Sequence, residues 1–247
     1  MPAVPAWPPK SLPRLFVRAP LGEEATVDLD AAQANYLGNV LRLGRESELL
    51  IFDGNSGEWL AQIAEAGKKR MTLTVERRTR EAETVPDVWL AFAPVKRTQT
   101  DWLVEKATEL GAARLIPVMT QRTVAERVKL ERLEAITIEA AEQCGRTVLP
   151  EIAEPVALRK FLDVRESERT LYFADENGGE PSATAFKPGS ALILTGPEGG
   201  FTDDERRMIR AARNAVAISL GPRILRAETA ALASLAAYMA VAGDWRS

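Results

Sequence analysis

Residues 191–201, Ala191-Leu192-Ile193-Leu194-Thr195-Gly196-Pro197-Glu198-Gly199-Gly200-Phe201, and residues 215–226, Ala215-Val216-Ala217-Ile218-Ser219-Leu220-Gly221-Pro222-Arg223-Ile224-Leu225-Arg226, share one plan. Each is a short apolar run that breaks into a loop of glycine and proline. Such a run, bounded by turn formers, has the length of a strand buried on both faces. A helix follows each loop. After the first, Thr202-Asp203-Asp204-Glu205 has the spacing of a capping box, in which Thr202 and Glu205 satisfy helix-end N–H groups. After the second comes an alanine-rich stretch, Thr229 to Gly243. The same rhythm runs upstream. Val88 to Phe92, Leu115 to Met119 and Thr170 to Ala174 read as strands, Asp101 to Leu110 as a helix stopped by Gly111, and Leu130 to Cys144 as a helix stopped by Gly145. Alternation of this kind predicts an α/β domain over residues 83–247, a mostly parallel sheet covered by helices on both faces.

The first third of the chain has a different texture. Leu15 to Val17, Glu48 to Phe52, Trp59 to Ile63 and Met71 to Val75 read as short strands, with Asp53-Gly54-Asn55-Ser56-Gly57 as a hairpin turn. One helix near Ala31 to Val40 interrupts them. Residues 1–82 are therefore expected to form a small β-barrel with a single helix, and the polar segment Arg80 to Pro86 reads as the boundary.

Composition removes several classes of chemistry. The 247 residues contain no histidine and one cysteine, Cys144, so Ser-His-Asp and Cys-His catalysis, internal disulfides and multi-cysteine metal sites are excluded, and no metal is expected. A reducing, cytoplasmic setting suits a single thiol. The proline-rich start, Met1 to Arg14, lacks the apolar run of a signal peptide, and Thr229 to Gly243 falls short of the about 20 residues a membrane span needs. A net charge of −3 speaks against indiscriminate coating of nucleic acid. Local basic groups exist at Arg14, Arg18, Arg42 and Arg45, at Lys68, Lys69 and Arg70, and at Arg77, Arg78 and Arg80. They read either as solvated faces or as contacts to phosphate.

In an open parallel sheet, ligands collect beyond the carboxyl ends of the strands. The two glycine loops should therefore share one rim, either as plain tight turns or as the walls of a site. Three carboxylates in the first helical turn already answer the helix dipole, and neither G-x-G-x-x-G nor G-x-x-x-x-G-K-[ST] occurs. A neutral or cationic ligand suits this rim better than a polyphosphate. Arg223, Arg226, Glu228 and Thr229 cluster at the entrance to the last helix, where Arg226 could pair with Glu228 and Thr229 could act as a cap. Lys96-Arg97-Thr98, and Glu139, Glu142, Gln143 and Arg146, form weaker groups that a solvated role would also explain.

Leu194 to Phe201, followed about twenty residues later by Ser219 to Ala230, resembles the RsmE family of SPOUT RNA methyltransferases. Lys106-Ala107-Thr108-Glu109-Leu110-Gly111 and Glu139-Ala140-Ala141-Glu142-Gln143-Cys144-Gly145-Arg146 add to the likeness, with Cys144 standing where the family more often has serine. The resemblance implies a PUA-like barrel that helps grip RNA, a SPOUT-type sheet with a deep C-terminal trefoil knot, S-adenosylmethionine as cofactor, and a homodimer. It also implies methylation of a uridine at N3 in the decoding region of 16S rRNA, with the assembled small ribosomal subunit as the expected partner. By the family's pattern Leu194, Thr195, Gly196, Gly200, Leu220, Gly221, Ile224, Leu225 and Thr229 would hold the cofactor. Arg226 and Glu198 are the catalytic candidates, Arg226 for charge on the uracil carbonyls and Glu198 as base. Arg14, Arg18, Arg42, Lys68, Lys69, Arg70, Lys96, Arg97, Arg146 and Arg223 are the expected RNA contacts. Methylation of another RNA, or RNA binding without catalysis, are the rival expectations.

Overall fold

A computed structural model describes residues 12–67, 70–125 and 127–246. The chain divides into two compact units, Met1–Glu83 with Gly145–Val148, and Thr84–Cys144 with Leu149–Ser247. The expected break after residue 82 lies one residue from the end of the first segment, and the short return at 145–148 has no signal in the hydrophobic pattern.

The first unit is built on five strands: β1 (Arg14–Phe16), β2 (Thr26–Leu29), β3 (Glu48–Phe52), β4 (Glu58–Ala66) and β5 (Met71–Arg80). They lie in the order β1-β3-β4-β5-β2, parallel between β1 and β3 and antiparallel elsewhere. Alternating residues, among them Leu49, Ile51, Ala61, Ile63, Leu73 and Val75, point into a core closed by α1 (Ala31–Asn35) and the π-helical turn Tyr36–Val40. The β3–β4 turn follows from Asp53, whose Oδ1 accepts the N–H groups of Asn55 and Ser56 at 2.9 and 2.7 Å. Gly57 closes that turn at φ +95°, and a side chain there would run into the Arg80 backbone.

Glu58 opens β4 with a side chain only 5% exposed. It accepts from Arg14 Nε at 2.8 Å, from Arg80 at 3.0 and 2.7 Å, and from Thr79 Oγ1 at 3.0 Å. The two guanidinium groups go on to bind the 145–148 segment: Arg14 donates to the Arg146 carbonyl at 2.7 Å and Arg80 to that of Gly145 at 2.8 Å. Glu83 completes the attachment, its carboxylate accepting from Thr147 N at 3.1 Å.

The second unit is a parallel sheet. Its long strands are β6 (Val88–Phe92), β7 (Arg114–Met119), β10 (Thr170–Ala174), β12 (Ala191–Thr195) and β13 (Ala215–Ser219). The short ones are β8 (Glu151–Ile152), β9 (Val156–Ala157) and β11 (Glu180–Pro181). The order is β11-β13-β10-β12-β6-β7-β8, with β9 beside β7. The helices are α2 (Arg97–Glu109), α3 (Leu130–Cys144), α4 (Leu158–Val164), α5 (Ser182–Ala185), α6 (Asp203–Ala211) and α7 (Ala227–Val241). Side chains alternate between two cores, because successive strand residues face opposite ways. Val88, Leu90, Phe92, Tyr172 and Ile193 pack with α2, α3, α5 and α7. Ala91, Leu171, Phe173, Leu192 and Leu194 pack with α4 and α6. Among the described residues no helix is long and apolar enough to cross a membrane.

Candidate active site

Strand order decides which loops can meet. β12 and β13, whose loops the sequence singles out, are not neighbours; β10 lies between them. Three loops therefore stand side by side at the carboxyl edge, and the middle one, Asp175-Glu176-Asn177-Gly178 after β10, is the part sequence reading missed. Its signal was available: a glycine-bearing turn straight after the apolar run Thr170 to Ala174.

The three loops enclose a cavity of about 340 Å³. From β10's loop come Asp175, Glu176, Asn177 and Gly178; from β12's, Thr195, Gly196, Pro197, Glu198, Gly200 and Phe201; from β13's, Leu220, Gly221, Pro222, Arg223, Ile224 and Leu225. Ala174, Ile218, Ala227 and Ala230 add apolar surface. Gly200 takes a left-handed φ of +66°, and a Cβ there would stand 2.6 Å from Glu176 Oε1, so any other residue would be strained and would displace that carboxylate. Gly221, at φ +103°, faces open space.

The middle loop is pinned from below. The fully buried Asp175 carboxylate accepts from Arg206 Nε at 3.0 Å, Arg210 at 2.6 Å and the Asn177 N–H at 3.0 Å. Arg206 is shared with Glu176 and Asp203, each at 3.1 Å, so its charge is compensated although it reaches the cavity. The β12 loop is braced differently. Thr202 and Glu205 form the capping box of α6, Glu205 also accepts the Gln121 N–H at 2.7 Å, and Arg122 donates to the Gly199 carbonyl at 2.6 Å. The N-terminus of α6 is thus filled by the protein's own carboxylates and offers no phosphate cradle.

Residues 81–239 match the family description RNA methyltransferase domain, and residues 29–76 match RNA methyltransferase PUA domain. The chain is 31% identical to ribosomal RNA small subunit methyltransferase E of Rickettsia conorii over 229 residues, 90% of this chain and 93% of that one. Among solved structures it superposes on the enzyme of the same name from Neisseria gonorrhoeae, bound to S-adenosylmethionine, with a TM-score of 0.88 at 29% identity, covering 95% and 99% of the two chains. The chain belongs to the RsmE family of RNA methyltransferases. A methyltransferase of Legionella pneumophila in complex with the same cofactor gives a TM-score of 0.87 at 28% identity, covering 94% and 99%.

In this RsmE-family chain the residues expected at the cofactor fall into two groups. Thr195, Gly196, Gly200, Leu220, Gly221, Ile224 and Leu225 line the cavity; Leu194 and Thr229 do not. Leu194 is one residue too early on β12, so its side chain points into the core against α6. Thr229 is exposed because Ala227 and Ala230, one turn apart, take the inward face of α7. Glu198 lines the cavity and is exposed. Arg226 sits just outside it, exposed at the N-cap of α7 between the lining residues Leu225 and Ala227. The alternative role for Arg226, an ion pair with Glu228, is not taken up among the described residues.

The expected RNA contacts also divide. Arg18, Arg42 and Arg70 in the first unit are exposed, as are Lys96, Arg97 and Arg223 in the second. Arg14 and Arg146 must be withdrawn. Arg14 is committed to Glu58 and the Arg146 carbonyl, while Arg146 is 5% exposed and bonded to Glu83. A buried, paired guanidinium has no face left for phosphate. Lys68 and Lys69 lie outside the described residues.

Proposed function

We propose that this chain methylates N3 of a uridine in the decoding region of 16S rRNA, within the small ribosomal subunit, using S-adenosylmethionine. The observation that carries this reading is the cavity at the sheet edge, in which three strand-end loops meet around about 340 Å³. That volume is within the range of about 300–1,000 Å³ usual for ligand clefts. Its wall is mixed: Ala174, Phe201, Ile218, Leu220, Ile224 and Leu225 are apolar, while the carboxylates of Glu176 and Glu198 stand with Arg206 neutralised and Arg223 as an exposed cation, which suits a ligand with an apolar body and a positive centre. Thr195, Gly196, Gly200, Leu220, Gly221, Ile224 and Leu225 would hold the cofactor. When bound, S-adenosylmethionine supplies an electrophilic methyl group.

The protein's own part is orientation and proton transfer. As N3 bonds to the methyl carbon and the sulfur–carbon bond breaks, the N3 proton must leave. Glu198, exposed on the cavity wall, accepts it, a contribution of about 10²–10⁴ in rate. Arg226 donates to the uracil carbonyl oxygens as negative charge gathers there, and Arg223 holds a phosphate. Residues 1–82 act as the PUA-like RNA grip, with Arg18, Arg42 and Arg70 on phosphates, and residues 83–247 as the catalytic domain, where Lys96 and Arg97 extend the contact. The protein works in the cytoplasm as a homodimer. The C-terminal segment is knotted, as the resemblance to the SPOUT methyltransferases implies.

Two experiments test this. Reverse transcription across 16S rRNA from cells with and without the gene should lose one stop in the deletion, because N3 methylation blocks base pairing. Arg226→Ala should lower turnover about 10²–10³-fold with unchanged S-adenosylmethionine binding by calorimetry. Near-normal turnover would remove Arg226 from the mechanism.

A further inference from the structure

A second cavity, of about 280 Å³, opens at the carboxyl end of β6, the strand next to β12. Its floor is apolar: Pro94, Val95, Val128 and Leu133. Its rim is cationic, with Lys96, Arg97, Arg127 and Lys129 all exposed. Among the described residues none of these four is paired with a carboxylate. The one acid in the lining, Asp101, is taken by Arg132 through two bonds of 2.9 and 2.5 Å. In a chain with a net charge of −3, four uncompensated cations around an apolar hollow are a local concentration. Val124 stands at the mouth with 69% of its surface exposed and nothing covering it.

We infer that this cavity binds one unpaired nucleotide of the RNA, its base packed on the valine floor and its phosphates on the Lys96, Arg97, Arg127 and Lys129 rim. Phosphate alone would need no apolar floor, and a paired base would reach one only at the cost of unpairing and unstacking, which an unpaired base is spared. Single-stranded RNA is read through bases splayed onto apolar or aromatic surface beside basic grooves. The loop that walls this cavity also braces the first, through Arg122 to the Gly199 carbonyl and Gln121 to Glu205. A nucleotide held here would fix the register of the strand entering the methylation cavity. The inference rests on the RNA reading above and deepens it: Lys96 and Arg97 belong to both, while Arg127, Lys129 and the apolar floor are its own.

The test uses the full chain and a short single-stranded RNA carrying one 4-thiouridine, with a matched RNA abasic at that position. Photocrosslinks should map to residues 94–100 or 124–133. Combined Lys96→Ala, Arg97→Ala, Arg127→Ala and Lys129→Ala should weaken RNA binding at least about tenfold and flatten its salt dependence, while S-adenosylmethionine binding by calorimetry is unchanged. Val124→Asp should weaken binding of the 4-thiouridine RNA more than that of the abasic RNA. Crosslinks confined to other segments, an unchanged salt slope, or equal loss on both RNAs would overturn the inference. Loss of S-adenosylmethionine binding or of rRNA methylation by the unaltered chain would instead sink the catalytic reading.

Discussion

Gly200 and Glu58 show what single residues contribute. At Gly200 a methyl group would meet both an unfavourable φ and the Glu176 carboxylate. The strain is worth about 1–2 kcal/mol and is present without cofactor, so Gly200→Ala should lower the melting temperature by about 2–8 °C, and displacement of Glu176 into the cavity should weaken S-adenosylmethionine binding in calorimetry. Glu58 is buried between two arginines, and removing its charge leaves them facing each other. Breaking a buried pair costs about 3–5 kcal/mol, and since Arg80 is 44% exposed the lower end applies. Denaturant unfolding of Glu58→Gln should register it. Residue roles were legible in the sequence only where the backbone sets them: the glycines of the two loops could be read because turns demand them. Arg14 and Arg146 could not be told from surface cations, because their burial depends on Glu58 and Glu83, far away in the sequence.

At the level of elements, the capping box of α6 was readable from four consecutive residues, and the structure forms it. Thr202→Ala should cost about 1 kcal/mol, a fall in melting temperature of about 2–4 °C for a chain of this size. The long strands and helices of the second unit were equally plain, since each buries enough apolar residues to show a period. β2, β8, β9 and β11 were not. β8, β9 and β11 have two residues apiece, and β2 has four, Thr26 to Leu29, of which Val27 and Leu29 are the buried pair. Pairing partners, not local pattern, make such strands. The helix expected over residues 31–40 switches at Tyr36 from α to π winding, a change no composition rule announces.

For the molecule as a whole, topology governs the site, and topology was the least visible level. Nothing in the sequence says that β10 slots between β12 and β13, and so the Asp175 loop was overlooked. Acid sensitivity is another collective property. Burial works to raise the carboxyls of Asp53, Glu58 and Asp87, but hydrogen bonds from Ser56 and Asn55, from Arg80 and Arg14, and from Arg169 together outweigh it and hold all three below their ordinary values of 3.8, 4.5 and 3.8. A carboxyl depressed by folding adds stability above its ordinary value and surrenders it as pH falls toward the folded one. Unfolding free energy should therefore be level near neutrality and drop below about pH 4.5. Glu58→Gln should show a shallower acid limb by circular dichroism.

Residues 145–148 complete the first unit although they are encoded in the middle of the second. The chain crosses between the units, comes back to supply the carbonyls that Arg14 and Arg80 hold, and departs again. A gene fragment ending at Glu83 carries every strand of the first sheet yet leaves Arg14 and Arg80 without the Arg146 and Gly145 carbonyls. Recombination between relatives at a single junction would inherit the same defect. A chimera that keeps its N-terminal half intact must transplant both pieces together, and domain shuffling in this lineage is constrained by that interlocking reading frame.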